Sequence, residues 1–463
     1  MDISPITEFK HEKRMVPLTI PYESDYYENT FTVIVGKNGV GKSRLLSNMV
    51  SEFVRTDQAP QGYEYLNDFD SYNRNERRVI AVSTSPFDKF KLPPKNRIKE
   101  SVVRTNYRYI GMRSGGPYGI SSISLISSAT KGILERFLKN EGYDRLKDVF
   151  HTLGFLPEAR LIFKPNFRLD KHSIKVDRIS SEINSFEIAW LKDLGIEVGP
   201  RALESLNEVN EKDVYEIRKA LDDLGDLFIY EKAISVDIDF YHGEAFSINK
   251  EVFHNIGFLE SINILLNYDL IRLMDMKLHK REYGDMSLRR ASSGEQCMLV
   301  MMLGIAGHIN DSSLIFIDEP EISLHPKWQE EFMSLLIRTF SQYRSCQFFI
   351  ATHSPQIVSQ LEGKNCFVTS LTKNEIFPSS YFNDRSSDFQ LAELFDAPGS
   401  RNEYITRLAF SLLSKIKSRK AAGKNEVQEL DKLLALCNAI SRDDPTLELV
   451  KAVEEIVKHY ASY

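Results

Sequence analysis

The alternation of apolar and polar positions near the N-terminus predicts a strand, a turn and a helix in that order. Residues 31–35 form an apolar, β-branched run, and a glycine-rich turn follows it. Apolar side chains then recur at helical spacing at Leu45, Leu46, Met49 and Phe53. This order is typical of the first unit of an α/β fold.

Three more short apolar runs predict strands that are buried on both faces. They lie near Val79, Ile315 and Phe349. Strands of this kind belong to parallel sheets that are covered by helices on both sides. We therefore expect an α/β fold with a mostly parallel sheet and helices on both of its faces.

The same pattern divides the chain into segments. Residues 1–100 and 281–385 carry the strands of the expected α/β core, and residues 101–280 mix strand-like and helical runs between them. This insertion has no sustained heptad pattern, which excludes long coiled-coil arms and favours a compact lobe. Residues 386–463 are predicted to be mostly helical and to serve for association with a partner or with another copy. The alternative is a helical lid that packs on its own domain.

Composition places the chain among soluble globular proteins. Of its 463 residues 42% are hydrophobic and 27% charged, and the net charge of −6 argues against binding to nucleic acid through overall charge. The four cysteines form no C-x-x-C pair, so neither a zinc site nor a disulfide framework is indicated. No apolar segment reaches the ~20 residues of a membrane span, and the N-terminus lacks the core of a signal peptide. We expect a cytoplasmic protein without a membrane partner.

The glycine-rich turn, GKNGVGKS, fits the phosphate-loop pattern G-x-x-x-x-G-K-[ST]. Its glycines let backbone N–H groups wrap around phosphates at a helix N-terminus, Lys42 supplies charge to the outer phosphates, and Ser43 can bind Mg²⁺. We therefore predict ATP and Mg²⁺ as cofactors. The predicted nucleotide-binding residues of this segment are Gly36, Lys37, Asn38, Gly39, Val40, Gly41, Lys42, Ser43 and Arg44.

Two later apolar runs end in side chains suited to phosphate chemistry. LIFIDEP ends in Asp318 and Glu319, at the sheet edge where open α/β folds bind ligands. Asp318 is predicted to join Ser43 as a metal ligand, and Glu319 to orient or deprotonate the attacking water. FFIATHSP places His353 where an imidazole could contact the outermost phosphate. Glu319, His353 and Lys42 are the predicted catalytic residues.

A small polar segment, ASSGEQ, precedes one of the longest apolar runs in the chain. Ser292 and Glu295 fit a capping box, but a capping box does not account for a glycine inside the first helical turn. Ser293 and Gly294 at a helix N-terminus could form a second phosphate site. Two phosphate sites in one chain suggest a head-to-tail dimer, in which Ser293, Gly294 and Gln296 of one copy close over ATP held by the other.

The order GKNGVGKS, SSGEQ, LIFIDEPEISLHP, ATHSP resembles that of ABC-type ATPase heads, with SSGEQ at the position of the signature LSGGQ. DEPEISLHP and ATHSP are similar to a soluble branch that includes the overcoming-lysogenization-defect (OLD) proteins. VIAVSTSPFDKF and SSDFQLAELFDAPGSRNEY most resemble the PtuA-type ATPases of Septu and retron anti-phage systems. The resemblance implies a P-loop ATPase head, nucleotide-sandwiched dimers, and control of a small HNH nuclease encoded beside it.

The chain departs from these families at several points. Transporter heads carry a glutamine between the first helix and the signature, and STSPFDKF occupies that place here, with Ser85 and Asp88 as candidate replacements. Glu295 stands where the signature has its second glycine. No acidic cluster of the Toprim type and no H-N-H constellation follows Ser354, so a nuclease activity would belong to a separate chain. A transporter head is disfavoured by the missing glutamine and the large insertion.

Two basic stretches are candidates for contact with DNA or RNA. They are residues 88–99, with Arg104 and Arg108 interleaved by tyrosines, and residues 415–424. Charge runs are more often solvated surface.

Our principal expectation is an ATP-hydrolysing subunit of an anti-phage defence complex. The alternative is a DNA-repair ATPase of the RecF kind, whose hydrolysis duplex DNA would stimulate without a second chain.

Overall fold

The computed structural model describes residues 5–21, 25–59, 77–93, 97–98, 101–113, 122–139, 143–169, 196–198, 206, 209, 211–247, 256–280, 284–383, 385–438, 440–441 and 443–461. The strands of this part are β1 (Glu8–His11), β2 (Arg14–Pro17), β3 (Thr30–Val35), β4 (Thr56–Ala59), β5 (Val79–Ser83), β6 (Arg97–Ile98), β7 (Ser101–Thr105), β8 (Tyr107–Gly111), β9 (Glu158–Pro165), β10 (Phe167–Leu169), β11 (Ile196–Val198), β12 (Ile234–Asp239), β13 (Glu244–Ser247), β14 (Ile271–Lys280), β15 (Gly284–Ser287), β16 (Leu314–Asp318), β17 (Gln347–Ala351), β18 (Cys366–Ser370) and β19 (Glu375–Pro378). The helices are α1 (Lys42–Phe53), α2 (Ser122–Leu138), α3 (Tyr143–Thr152), α4 (Glu211–Tyr230), α5 (Ile256–Asn267), α6 (Ser293–His308), α7 (Pro326–Thr339), α8 (Pro355–Ser359), α9 (Ser387–Glu393), α10 (Glu403–Arg419), α11 (Lys424–Cys437) and α12 (Pro445–Ala461).

A seven-stranded sheet forms the centre of the protein, in the order β19-β18-β3-β17-β16-β5-β8. The six strands from β18 to β8 run parallel to one another, and β19 adds an antiparallel edge. The four strands predicted from apolar runs, β3, β5, β16 and β17, are fully buried neighbours in this sheet. The expected α/β fold with a mostly parallel sheet is confirmed.

Helices α1 and α6 cover opposite faces of this sheet. Alternate residues of a strand point to opposite sides, and Ile34 packs with the apolar residues of α1 whereas Val33 packs with those of α6. The same division separates Phe316 from its neighbour Ile317 on β16. The two helices whose N-termini carry the predicted phosphate sites therefore lie on different sides of one sheet.

Helix α6 is buried on all sides, which explains why it is apolar around its whole circumference. It packs closely against α2 at positions occupied by glycine. A Cβ on Gly307 would lie 2.7 Å from the backbone carbon of Gly132, so any larger residue would separate the two helices. Its long apolar run thus reflects an internal position.

The segment predicted to be an inserted lobe contains a five-stranded antiparallel sheet, in the order β13-β12-β9-β14-β15. Its apolar face joins α4 and α5 in the same core as α6. One part of the predicted lobe belongs elsewhere, because β8 pairs with β5 at the edge of the central sheet. The central sheet therefore extends past the predicted boundary at residue 100, because residues 107–111 form a buried strand despite their arginine and tyrosines.

The tyrosines of that strand also bear on the predicted contact with nucleic acid. Tyr107 and Tyr109 are buried, and the Tyr107 hydroxyl donates to the carbonyl of Lys91 at 2.8 Å. They are not available to stack on bases. Residues 94–96 and 99 of the first basic stretch lie outside the described residues.

The C-terminal segment forms a helical bundle with its own apolar core. Helices α10, α11 and α12 contribute Ile405, Leu433 and Val453 among others to this core. The predicted role of the bundle in association stays a prediction. Among the described residues, no helix is both long and apolar enough to cross a bilayer.

Candidate nucleotide-binding site

The predicted phosphate loop joins the buried strand β3 to helix α1. Gly39 and Gly41 adopt left-handed φ angles of 78° and 100°, which glycine tolerates without strain, and Gly41 caps the helix. Asn38 and Gly39 are exposed at the tip. The loop therefore has the strand-turn-helix geometry that places backbone N–H groups around an anion.

Lys42 lies inside this loop. Its Nζ donates to the carbonyl of Gly36 at 2.9 Å and lies 3.1 Å from Nδ1 of His353. Burial lowers the pKa of Lys42 to about 8, against the opposing effect of Glu321, Glu319 and Asp318. A buried ammonium with incomplete compensation is suited to bind a phosphate.

The other polar groups of the loop contact the rest of the chain. The Lys37 N–H donates to Oγ1 of Thr372 at 3.0 Å, and its ammonium lies 3.8 Å from Asp396. Arg44 forms an exposed ion pair with Glu12 at 3.1 Å. The side chains of Lys37 and Arg44 therefore point to partners outside the loop, whereas that of Lys42 points into it.

Ser43 and Asp318 meet beneath the loop. The Ser43 hydroxyl is hydrogen-bonded to the Asp318 carboxylate, and burial raises the pKa of Asp318 to about 7. The buried Oδ1 of Asp318 has no hydrogen-bond partner. A hydroxyl beside an unsatisfied carboxylate oxygen is the kind of oxygen donor set that Mg²⁺ takes.

Ser43 and Asp318 fit Mg²⁺ only in a site that the nucleotide completes. No group of three or more acidic, histidine or cysteine side chains that could hold a metal occurs within the described part of the chain. Mg²⁺ commonly takes one or two protein oxygens and completes its shell with phosphate and water. Ser43 and Asp318 would thus hold the ion together with the nucleotide.

Glu319 follows Asp318 but points in another direction. Its φ of 49° is unusual for a residue with a side chain, and its N–H donates to the carbonyl of Ala351 at 2.9 Å. Its Oε1 lies 3.7 Å from Nε2 of His353. Burial, together with Lys42, lowers the pKa of His353 to about 4, so the imidazole is neutral near pH 7. The structure brings Lys42, Asp318, Glu319 and His353 together at the carboxyl edge of the sheet.

Glu321 is a member of this site that the sequence analysis missed. Its carboxylate accepts hydrogen bonds from the Thr352 hydroxyl at 2.8 Å and from the His353 N–H at 2.5 Å. Burial raises its pKa. Glu321 thereby ties the turn after β16 to the turn that carries His353. The second glutamate of DEPE was the available signal.

Replacing Glu321 by glutamine should reduce ATP hydrolysis about tenfold or more while nucleotide affinity changes little. Both oxygens of the carboxylate accept, whereas the amide of glutamine accepts with one oxygen and turns an N–H toward the other donor. Hydrogen bonds to a charged group contribute about 1.5–3 kcal/mol, and weakening them would free the backbone that orients His353. Steady-state kinetics with a separate binding titration distinguishes the two effects. Thr352→Val, which removes only one of the two donors, is the matched control and should have a smaller effect. Equal turnover of Glu321→Gln and wild type would contradict this role.

The hydrogen bonds in the loop after β5 exclude one of the two candidates for the missing glutamine. Asp88 accepts from Arg113 at 2.6 and 2.9 Å and from the Tyr109 hydroxyl at 2.7 Å, and its Oδ1 also accepts from the Phe90 N–H. Its oxygens are occupied within the fold, so Asp88 does not replace the missing glutamine. The buried Ser85 accepts from the Phe87 N–H at 3.2 Å. Nothing in its geometry assigns it to the metal site.

The signature segment is partly explained by packing. The N-cap half of the predicted capping box is confirmed, since Oγ of Ser292 accepts from the Glu295 N–H at 3.3 Å. Gly294 is buried, and a Cβ there would lie 3.3 Å from the carbonyl oxygen of Ser323 and from Trp328. Close packing against that turn is therefore a sufficient reason for the glycine.

The structure also shows where Gln296 and Ser293, both predicted to contact a neighbouring nucleotide, direct their side chains. Nε2 of Gln296 donates to the carbonyl of Leu288 at 2.8 Å, so this side chain braces its own chain and does not reach outward. Ser293 is exposed. Of the three residues predicted to contact a neighbouring nucleotide, only Ser293 presents its side chain to solvent.

The sequence of the chain is similar to those of several known proteins. Residues 31–359 match the sequence profile of the family described as "AAA domain, putative AbiEii toxin, Type IV TA system". The chain is 25% identical to Protein ea59 of Escherichia phage lambda over 375 residues, which are 77% of this chain and 52% of that protein. It is 26% identical over 140 residues to the Retron Ec83 probable ATPase of Escherichia coli, covering 27% of this chain and 24% of that one.

The chain is also similar to a third protein, over a shorter stretch of sequence. It is 29% identical over 97 residues to the Retron Vc95 probable ATPase of Vibrio cholerae serotype O1 biovar El Tor, covering 19% of this chain and 18% of that one. The chain thus spans about half the length of the first relative and a quarter or less of the two retron ATPases. The profile match, in contrast, extends over most of the chain, from the strand before the phosphate loop to beyond His353. The chain therefore belongs to this AAA-domain family of P-loop ATPases.

Proposed function

We propose that the protein is an ABC-type ATPase that binds ATP and Mg²⁺ between two head-to-tail copies. The observation that carries this proposal is the position of two helix starts on opposite faces of one sheet: α1 with Lys42, and α6 with the exposed Ser293. Ser293 would contact the phosphates held by a neighbouring copy. When each copy offers both surfaces to the other, the pair has a two-fold axis and the contact is closed and isologous.

The proposed roles follow the geometry of the site. Lys42 and the loop N–H groups bind the phosphates, and Ser43 and Asp318 hold the metal. Glu319 accepts a proton from the attacking water, and the neutral His353 donates a hydrogen bond to the outermost phosphate. ATP would favour the closed pair because it contacts both copies only in that state, and hydrolysis would release them.

We further propose that the protein is the ATPase subunit of an anti-phage defence complex, similar to the PtuA-type subunits of Septu and retron systems within the OLD-like branch. Its similarity to two retron ATPases supports this role. The nuclease that it controls would be a separate HNH chain.

Mass photometry tests the pairing. With a non-hydrolysable ATP analogue and Mg²⁺ the protein should form dimers or higher oligomers, which ADP should not support. A strictly monomeric protein at saturating analogue would contradict the proposal.

Co-expression with the product of the adjacent open reading frame tests the partner: an HNH protein should co-purify. The RecF-like alternative differs in that duplex DNA alone would stimulate hydrolysis.

A further inference from the structure

A cleft of about 580 Å³ lies beside the signature segment, on the outer face of the five-stranded sheet. It is lined by strands β9, β14 and β15 and by the turn that leads into α6. Its lining residues are Ile162, Lys164, Met274, Asp275, Lys277, Asp285, Met286, Ser287, Arg289, Arg290, Ala291 and Glu295. None of the roles proposed above uses this cleft.

Four cationic side chains line the cleft: Lys164, Lys277, Arg289 and Arg290. Their charged groups form no salt bridge or side-chain hydrogen bond with the part of the chain that the structure describes. The two arginines are exposed and the two lysines are half-buried. Cations gathered in one concave surface raise the local concentration of anions.

The carboxylates of the cleft are mostly engaged elsewhere. Asp285 pairs with His279 at 3.0 Å and with Arg160 at 3.2 Å, and its pKa is lowered, chiefly by His279. Asp275 accepts from the Ser287 hydroxyl at 2.6 Å and from the Arg289 N–H at 3.2 Å. Glu295, near the start of α6, is therefore the one lining acid without such a partner among the described residues. Among the described lining residues four cations therefore face three carboxylates, and Arg160 already pairs with one of these, Asp285, so the cleft keeps an excess of positive charge.

The spacing of the lysines indicates what size of anion would fit. In the pairing of β9 with β14, Lys277 lies opposite Arg160, and Lys164 lies four residues further along β9. Four residues of strand span roughly 13 Å. The linked phosphates of one nucleotide cover only part of this distance, whereas each strand of a DNA duplex has a phosphate about every 3.4 Å of helix axis. The apolar Ile162, Met274 and Met286 add a surface on which bases can pack.

We propose that this cleft binds the phosphodiester backbone of a nucleic-acid strand. The site differs from both basic stretches found in the sequence, and its place beside Ser293 would put the strand next to the proposed contact between copies. The cleft would bind nucleic acid whether or not two chains pair around ATP, so the two proposals can fail separately.

Fluorescence anisotropy with a labelled 30-nucleotide single strand tests the cleft in the full-length chain. Lys164→Ala/Lys277→Ala should weaken binding about tenfold or more and make the slope of log affinity against log salt shallower by about 1.4, at about 0.7 per phosphate contact. Lys417→Ala/Lys420→Ala, on the exposed basic stretch of the C-terminal bundle, is the matched control and should bind as wild type does.

The outcomes separate the cleft from its alternatives. Wild-type affinity and salt slope in the Lys164/Lys277 variant would overturn the proposal, as would loss of binding in the Lys417/Lys420 variant alone. Displacement of the strand by inorganic triphosphate at equal phosphate concentration would also overturn it, because the cleft would then be a small-anion site. Basal ATP hydrolysis should be unchanged in both variants, and its measurement shows that the protein is folded.

Discussion

Glu319→Gln should bind ATP as tightly as the wild type and hydrolyse it at least about 100-fold more slowly. An amide has nearly the shape of the carboxylate but cannot accept the proton of the attacking water, and general-base catalysis contributes about 10²- to 10⁴-fold. The side chain is partly exposed and lies 3.7 Å from His353, where a water can reach both. The variant should accumulate as the closed dimer with ATP, because release of the pair is proposed to need hydrolysis.

Single-turnover kinetics and mass photometry with ATP measure the two effects on Glu319→Gln. Glu330→Gln, an exposed glutamate on α7, serves as the matched control and should behave as wild type does. Equal hydrolysis rates for Glu319→Gln and wild type would remove Glu319 from its proposed role as the base. The rest of the site would be unaffected by that result.

Lys42→Ala should weaken nucleotide binding by about 100-fold or more. Charge-assisted hydrogen bonds contribute about 1.5–3 kcal/mol each, and Lys42 is positioned to make more than one of them to the outer phosphates. Its removal should not unfold the protein, since the buried ammonium is already disfavoured, as its lowered pKa shows. The variant should keep its thermal midpoint in the absence of ATP and lose the increase in that midpoint that ATP produces in the wild type.

Lys37→Ala is the matched control for Lys42→Ala. It removes a lysine of the same loop whose ammonium faces Asp396. It should retain nucleotide binding within a few-fold. If both variants lose binding equally, overall positive charge at the loop is responsible, and the specific position of Lys42 is not.

The central sheet and the catalytic edge were predictable because they depend on local patterns. Continuous apolar runs predicted β3, β5, β16 and β17, and the residues directly after those runs meet at one edge of a parallel sheet. Edge strand β8 was not predicted, because Arg108 stands between two tyrosines whose burial cannot be seen from polarity alone.

The contacts that sequence reasoning missed join residues far apart in the chain. Glu321 binds the backbone of His353 across 32 positions, and Asp88 is held by Arg113 across 25. Hydrophobic periodicity reports which residues are buried but not which polar groups satisfy one another. For the same reason Gln296 was expected to reach a neighbouring nucleotide, although its amide binds Leu288 in its own chain.

The central claim is that one copy completes the nucleotide site of another. The most direct test is to mix two inactive variants and measure ATP hydrolysis. Lys42→Ala lacks a working phosphate loop, and Ser293→Arg blocks the exposed start of α6. Each alone should hydrolyse little ATP. In a head-to-tail pair of one of each, one of the two sites combines an intact loop with an intact Ser293. Because half of randomly formed pairs are mixed, an equimolar mixture should recover up to about a quarter of wild-type activity. A mixture no more active than the two variants separately, or full activity of Ser293→Arg alone, would contradict the claim.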